Sequence, residues 1–308
     1  MLLDADNINN GLDEPVMVSI KCLVYNHAPF LRKCLDGFVM QKTNFKFEAV
    51  VHDDASTDNS VEIIKEYAEK YPDIIKPIFE TENQYSKGDG SLGRILNAAC
   101  HGKYIAYCEG DDYWTDSNKL QRQVDFLESH HDYVAVAENG IIHYLHSQQK
   151  QQFNKRDESD INIEELIKKR QFPTASVLYK RDTIQADYFN IRYHYDTMLW
   201  CYLVSKGKFR YLTNISSVYN RGTGVTETTR PYRWAATVEK WNRELIRVFG
   251  SLYNTKISKD NVYENYKGAM IKSFNRKDFC GFLMCSIKCI RQKPIITIKY
   301  FCNKVLLK

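Results

Sequence analysis

Four times in the first half of the chain a short strand-like run precedes a helix-like segment. This alternation constrains the fold more than any other feature of the sequence. Residues 17–24 (MVSIKCLV) read as a strand, and 29–40 as a helix that opens on Pro29 and buries Leu31, Cys34, Leu35 and Phe38. A strand over 47–52 then runs into the polar turn 53–60 (DDASTDNS), whose Ser56, Thr57 and Asp58 are suited to capping a helix that continues to Tyr71. Residues 75–79 and 104–108 read as strands, and 91–100 as a helix. Asp116 or Ser117 caps a further helix carrying Leu120, Val124 and Leu127. The expected class is α/β: a mostly parallel central sheet with helices on both faces.

Beyond this point the pattern loosens. Two strand-like runs fill 134–145, 148–160 reads as a polar loop, and short strands are expected over 174–179 and 209–212, with an apolar helix over 197–204 between them. The segment 230–253 is helical, and the remainder mixes helix with interleaved basic and apolar residues. The expected division is a 1–14 tail, an α/β domain over 15–229 and a helical, basic region over 230–308.

In a parallel sheet, ligands bind beyond the carboxyl ends of the strands. Two acidic clusters fall at such ends: Asp53-Asp54 after the second strand, and Asp111-Asp112 in Glu109-Gly110-Asp111-Asp112-Tyr113-Trp114 after the fourth. Adjacent carboxylates repel, and a divalent cation relieves that repulsion; oxygen ligands favour Mg2+ or Mn2+ over zinc or copper. Taken alone, each pair is equally readable as a helix cap. A carboxylate at the Asp53-Asp54 position can also accept hydrogen bonds from a base or ribose lying across the sheet edge.

Composition removes several alternatives. Nine cysteines without a paired CxxC point to reduced thiols rather than a disulfide or zinc framework, and hence to the cytoplasm. Residues 1–14 lack the basic start and apolar core of a signal peptide, and no uncharged apolar run reaches the roughly 20 residues that span a bilayer. Of the 43 basic residues, ten lie between Lys267 and the C-terminus, against one acid, Asp278; the rest of the chain is mildly acidic. That basic, apolar-rich end suits a helix lying on an anionic membrane surface, or helices packed on the sheet domain with a solvated basic face. No nucleic-acid motif accompanies the charge.

Three motifs in register carry a resemblance: Leu23-Val24-Tyr25-Asn26-His27, the run from Val51 to Ser60, and the run from Gly102 to Trp114. Together they resemble family 2 glycosyltransferases of the GT-A fold over roughly the first 225 residues, in particular bacterial enzymes that build surface polysaccharides. The resemblance implies a nucleotide-sugar donor, a UDP-sugar first, and a saccharide or lipid-linked oligosaccharide acceptor met at the inner face of the membrane. It implies that Asp54 contacts a uracil-type base with Asp53 beside it, that the strand end near Tyr25 lines the nucleotide pocket, that Asp111 lies near the ribose or diphosphate, and that Asp112 ligates Mn2+ or Mg2+. Arg94 would reach the diphosphate or donor sugar, and Asp196, in Tyr195-Asp196-Thr197, would be the catalytic base; an exposed helical arginine and a helix cap are the plainer readings of these two.

One departure stands out. Family members often carry a metal-binding histidine after the position of Tyr219, where this chain has Asn220-Arg221-Gly222-Thr223-Gly224. Arg221 would then help neutralise the leaving group, and the glycines would let a loop close over donor. A sugar nucleotidyltransferase should have a glycine-rich basic loop after the first strand, and Tyr25 to Pro29 is not one. A non-catalytic nucleotide-sugar-binding protein is the other alternative, and the lost histidine is its support.

Overall fold

The structure is a computed structural model that describes residues 15–222 and 229–304, without the side chains of 299 and 301–304. The expected 1–14 tail and the glycine turn at 223–226 lie outside the described residues. The chain divides into two compact units. The first runs to Ile161 and adds Gln171–Gln185 and Lys206–Arg221; the second holds Asn162–Arg170, Ala186–Ser205 and the chain from Gly222 onward. The C-terminal helices are thus joined in their unit by two segments drawn from within 15–229.

The first unit is built on β1 (Val18–Val24), β2 (Phe47–Asp53), β3 (Ile75–Phe79) and β4 (Tyr104–Tyr107), followed by β5 (Tyr113–Trp114), β6 (Tyr133–Tyr144), β9 (Leu178–Lys180) and β10 (Lys208–Arg221). The sheet order is β3-β2-β1-β4-β9-β6-β10-β5. The four-stranded β3-β2-β1-β4 half is parallel throughout; β9 joins it antiparallel, and β6 and β10 form a second parallel ladder.

The period-two alternation of β1 sorts the helices onto two faces. Val18, Ile20, Cys22 and Val24 are fully buried in the core that α1 (Ala28–Val39), α2 (Ser60–Lys70) and α5 (Lys119–Ser129) share. From the opposite face, Lys21 bonds to Asn97 of α4 (Ser91–Ala99), and Ser19 Oγ accepts from the backbone of Gly102.

Several segments differ from the sequence reading, among them the short strand expected over 209–212, which is part of the fourteen-residue β10. The two runs expected over 134–145 are one twelve-residue strand, β6. The loop expected over 148–160 contains β7 (Gln149–Gln152), antiparallel to β6, and β8 (Ser159–Asp160), paired with β10. Every residue of β7 is polar and exposed, so no apolar alternation marked it; backbone pairing to β6 holds it. Within 174–179, a 3-10 turn over Thr174–Ser176 precedes the three-residue β9.

The second unit is helical: α6 (Ile163–Lys168), α7 (Asp196–Lys206, its last residue in the first unit), α8 (Pro231–Phe249), α9 (Lys256–Asn275), α10 (Phe279–Gln292) and α11 (Pro294–Lys304). Asn162 and Glu165 form a capping box at α6. Polar ties join the inserted segments to the C-terminal helices: Asn261 Nδ2 donates to the Ile167 carbonyl at 2.8 Å, and the Arg192 N–H donates to Glu244 at 2.9 Å.

Candidate active site

Because β1 pairs in parallel with β2 (Val24 opposite Asp53) and with β4 (Lys21 opposite Tyr107), the turns after all three strands emerge at one sheet edge. Two backbone bonds lock them there: Asp54 N–H to the Val24 carbonyl and Gly110 N–H to the Leu23 carbonyl, each 2.9 Å. Tyr25, Asp53, Asp54, Asp111 and Asp112 are therefore gathered by the sheet itself.

The turn after β1 is bound to the turn after β2. Asn26 and Ala55 both adopt left-handed backbone, with φ of 57° and 61°. For alanine this costs on the order of 1 kcal/mol or more, so the surroundings must hold it. They do so through the Asn26 N–H to Ser56 Oγ (2.9 Å), the Thr57 N–H to Asn26 Oδ1 (2.7 Å) and the His27 N–H to Ser60 Oγ (3.1 Å). Asp58 accepts from both Ser60 N–H and Ala28 N–H, each at 3.0 Å. The capping residues expected to serve α2 alone thus also satisfy the start of α1, while the α2 N-cap, Asn59, makes no side-chain cap bond.

Asp53 and Asp54 are each 1% exposed. Asp53 Oδ2 accepts from Ser56 N–H at 3.0 Å, while its Oδ1 is buried with no hydrogen-bond partner among the described residues. Asp54 accepts from Gln84 N–H (2.6 Å) and Tyr85 N–H (3.0 Å), fixing the short α3 (Gln84–Lys87) against the site; four residues without apolar period carry no sequence signal for this helix. Each carboxylate oxygen retains a second lone pair. Tyr25 stands 46% exposed at the edge, available for stacking.

Asp111 and Asp112 lie in the turn between β4 and β5, buried at 7% and 3% exposure. Asp112 Oδ1 accepts from the Asn220 N–H at 2.8 Å, and the Asn220 side-chain amide donates to the Asp111 carbonyl at 2.6 Å. Asn220 Oδ1 in turn meets His143 Nδ1 at 3.0 Å. Asn220 and its neighbour His143 are residues that sequence reasoning missed. The sequence marks Asn220 only as a position without the expected histidine, and His143 is brought opposite it by the β6–β10 register. Trp114 anchors the other side, donating Nε1–H to the Ala175 carbonyl at 2.6 Å beneath the Lys119 ammonium, 4.4 Å from its ring. Burial pushes that ammonium down to about 8.

His27 completes the edge. Burial pushes its imidazole below the ordinary 6.5 and outweighs the opposing pull of Asp111, Asp58 and Asp53, which favours a neutral ring beside the carboxylates.

The remaining candidates sit elsewhere. Arg94 is exposed on α4, and its guanidinium donates to the Asp89 carbonyl at 2.9 Å, which ties it to the α3–α4 turn. Arg221 ends β10 beside Asn220, with its guanidinium 5.4 Å from the Tyr144 ring centre. Asp196 opens α7 in the second unit and accepts from Arg170 at 3.0 Å. In that unit a cavity of about 200 Å³ is lined by Arg170, Tyr195, Trp234, Trp241 and Asn242 among others. Tyr195 stacks on Trp241 at 4.1 Å, and Trp234 meets Trp241 edge-on at 5.3 Å. Asn242 is 5% exposed, and its Oδ1 has no hydrogen-bond partner among the described residues.

Residues 19–156 match the family described as Glycosyl transferase family 2. An uncharacterized protein of Mycobacterium tuberculosis, Rv1520, is 35% identical over 165 residues, covering 53% of this chain and 47% of that protein. The chain thus spans about half the length of this curated relative. WfaP of Escherichia coli, described as a UDP-Glc:alpha-D-GlcNAc-diphosphoundecaprenol beta-1,3-glucosyltransferase, is 25% identical, covering 67% of this chain and 77% of that one. Among solved structures, Staphylococcus aureus TarS 1-349 in complex with UDP-GlcNAc superposes with a TM-score of 0.63 at 15% identity, covering 92% of this chain and 83% of that one. The α/β arrangement expected from the sequence, the GT-A fold, is the one found.

Proposed function

We propose, from the premise that this chain carries a family 2 glycosyltransferase domain over residues 19–156, that it moves a sugar from a nucleotide-sugar donor to a saccharide or lipid-linked saccharide acceptor. A UDP-sugar is the first donor to consider, since the name of WfaP carries UDP-Glc and a TarS structure contains UDP-GlcNAc. The setting is the cytoplasmic face of a bacterial membrane, in surface polysaccharide synthesis. The observation that carries this reading is the convergence of Asp53, Asp54, Asp111 and Asp112 on one edge, where backbone bonds fix the turns after β1, β2 and β4.

In this reading Tyr25 stacks on the base. The unpartnered Asp53 Oδ1 accepts from a base N–H or ribose hydroxyl beside Asp54, and Asp111 faces the ribose or diphosphate. Arg221 offers charge to the departing diphosphate, with Arg94 a further cation for the donor.

Asp112, with Asp111 adjacent, offers the hard oxygen donors that Mn2+ or Mg2+ takes. Such ions commonly accept one or two carboxylates and complete their shell with substrate phosphates and water. When bound, the ion neutralises charge on the leaving diphosphate.

Asp196 is the proposed base. It takes the proton of the acceptor hydroxyl as that oxygen bonds to the anomeric carbon and the bond to the diphosphate breaks, a single displacement that inverts the centre. The cavity beside it, with stacked aromatic rings and an unsatisfied Asn242 oxygen, has the chemistry that receives a sugar ring of the acceptor.

The test is a panel of UDP-sugars with Mn2+, reading UDP release with and without saccharide acceptors. Release in the wild type, and transfer lowered about 100-fold or more in Asp196→Asn with donor binding unchanged, is expected. Donor binding without any release would support a non-catalytic binding protein instead. Full transfer by Asp196→Asn would remove that residue as the base.

A further inference from the structure

The second unit carries a surface that sugar transfer does not use. A helix on a protein surface normally turns its large apolar side chains inward; α10 does the reverse. It buries Gly281, Cys285, Ser286 and Cys289, four small residues, and the two cysteines join the core formed with Ala235 of α8 and with Val262, Tyr263, Tyr266, Ala269 and Met270 of α9. Phe282 packs against that core, but the other bulky residues face solvent: Phe279 is 74% exposed, Leu283 59%, Met284 48%, Ile287 43% and Ile290 40%, and Ile295 at the start of α11 is 70% exposed. The spacing 279, 283, 287, 290 places one apolar stripe along one helix face. Contiguous exposed apolar surface of this kind marks an interaction site.

Charge identifies the occupant. Lys272, Arg276, Lys277 and Arg291 are exposed at the end of α9, in the turn that follows it and at the end of the stripe. The one acid between Lys267 and the C-terminus, Asp278, is spent on the N-cap of α10, where its Oδ1 accepts from the Gly281 N–H at 2.9 Å. The exposed carboxylates nearby on α9, Asp260 and Glu264, are paired with Lys293 (2.6 Å) and Lys267 (2.9 Å), so the surface combines bulky apolar groups with an excess of cations. A second copy of the chain would bring like charges together across a two-fold contact. An anionic lipid surface satisfies both components, with the acyl boundary taking the apolar stripe and the headgroups taking the cations. No helix of the described residues is long and apolar enough to cross a membrane, so the contact is one of lying on the surface.

We infer that α10 and the start of α11 dock this chain on an anionic lipid bilayer through the Phe279–Leu283–Ile287–Ile290 stripe and its flanking Lys and Arg residues. The inference stands apart from the sugar-transfer reading, and its test uses neither donor nor acceptor. The full chain is sedimented with vesicles of equimolar phosphatidylglycerol and phosphatidylcholine, and with vesicles of phosphatidylcholine alone. Binding to the anionic vesicles is expected, weakening with salt and on omission of phosphatidylglycerol. The Leu283→Glu/Ile287→Glu double variant changes only exposed positions, so it should keep its circular dichroism while its vesicle affinity falls about tenfold or more. Arg276→Glu/Lys277→Glu should lower affinity for anionic vesicles and leave the weak binding to phosphatidylcholine unchanged. Absence of binding to anionic vesicles, or binding unaltered in both variants, overturns the inference. So does a dimer in light scattering that Leu283→Glu/Ile287→Glu dissociates, which would assign the face to a second copy.

Discussion

The main-chain N–H of Asn220 donates to Oδ1 of Asp112 at 2.8 Å, so the last turn of β10 holds the carboxylate proposed to bind the metal. The same residue reaches the Asp111 carbonyl through its side chain, and His143 backs it from β6. Asn220→Ala keeps the first bond and loses the second, leaving a buried carbonyl without that donor. Partners that orient a metal ligand typically contribute about 10–100-fold in metal affinity or activity. The expected outcome is a loss of that size in kcat/KM, with a higher Mn2+ concentration at half-maximal activity. An unchanged manganese titration would show that Asn220 merely closes the sheet.

Gly110 is needed where the double-aspartate turn passes the end of β1. A Cβ there would lie 2.9 Å from both His27 Nδ1 and Val24 Cγ2, closer than Cβ atoms approach, and 3.3 Å from Leu31 Cδ1, a tight contact. Gly110→Ala must displace the β1–α1 turn or the aspartate turn, and overpacking of this kind costs about 1–3 kcal/mol. Thermal unfolding should register the loss, and UDP binding followed by calorimetry should weaken with it. Unaltered stability would mean that the His27 ring swings aside at no cost.

Trp241 supplies a different readout. If the cavity beside Asp196 takes an acceptor sugar, Trp241→Ala removes the ring on which Tyr195 stacks and raises the acceptor KM about tenfold or more, the worth of an aromatic contact of about 1.4 kcal/mol. UDP release in the absence of acceptor should stay at the wild-type rate. Equal losses in both reactions would point to a folding defect, and an unchanged KM would remove the cavity from the acceptor site.

What the sequence disclosed follows from how local each signal is. The four strand–helix pairs of the first unit were legible because β1 to β4 are apolar runs bounded by polar turns, and β3 was placed to the residue. The acidic pairs were legible as site candidates because they follow those strands directly. Asn220 and His143 were not, since the β6–β10 register sets His143 opposite Asn220, and Asn220 reaches Asp111 and Asp112 from a strand more than 100 residues further along the chain. Asp54 was readable as a carboxylate at a strand end, but its hold on the backbone of Gln84 and Tyr85 depends on a four-residue helix with no periodicity to detect. The outward stripe of α10 was hidden for a related reason: an alternation of apolar and small residues fixes a helix without saying which face is covered.

The helical unit should have its own acid response, set by Glu239 of α8. Partial burial pushes this carboxyl up, but hydrogen bonds from Tyr266, Lys288 and Arg243 outweigh burial and hold it at about 2, against the ordinary 4.5. Tyr266 and Lys288 approach one oxygen at 2.6 and 2.9 Å, and Arg243 the other at 2.6 Å. A carboxyl with a depressed folded-state value binds its proton more readily in the unfolded chain. Its contribution to stability is therefore complete above pH 4.5 and is lost as pH falls toward 2. Glu239→Gln preserves shape and removes the anion, leaving Lys288 and Arg243 without their counter-charge. The variant should be less stable than the wild type at neutral pH, and the gap should close as acid titrates the wild-type carboxylate between 4.5 and 2. Denaturant unfolding of both proteins across that range gives the comparison, and a gap that stays constant with pH would show that the three donors stabilise α8 through packing rather than through the charge.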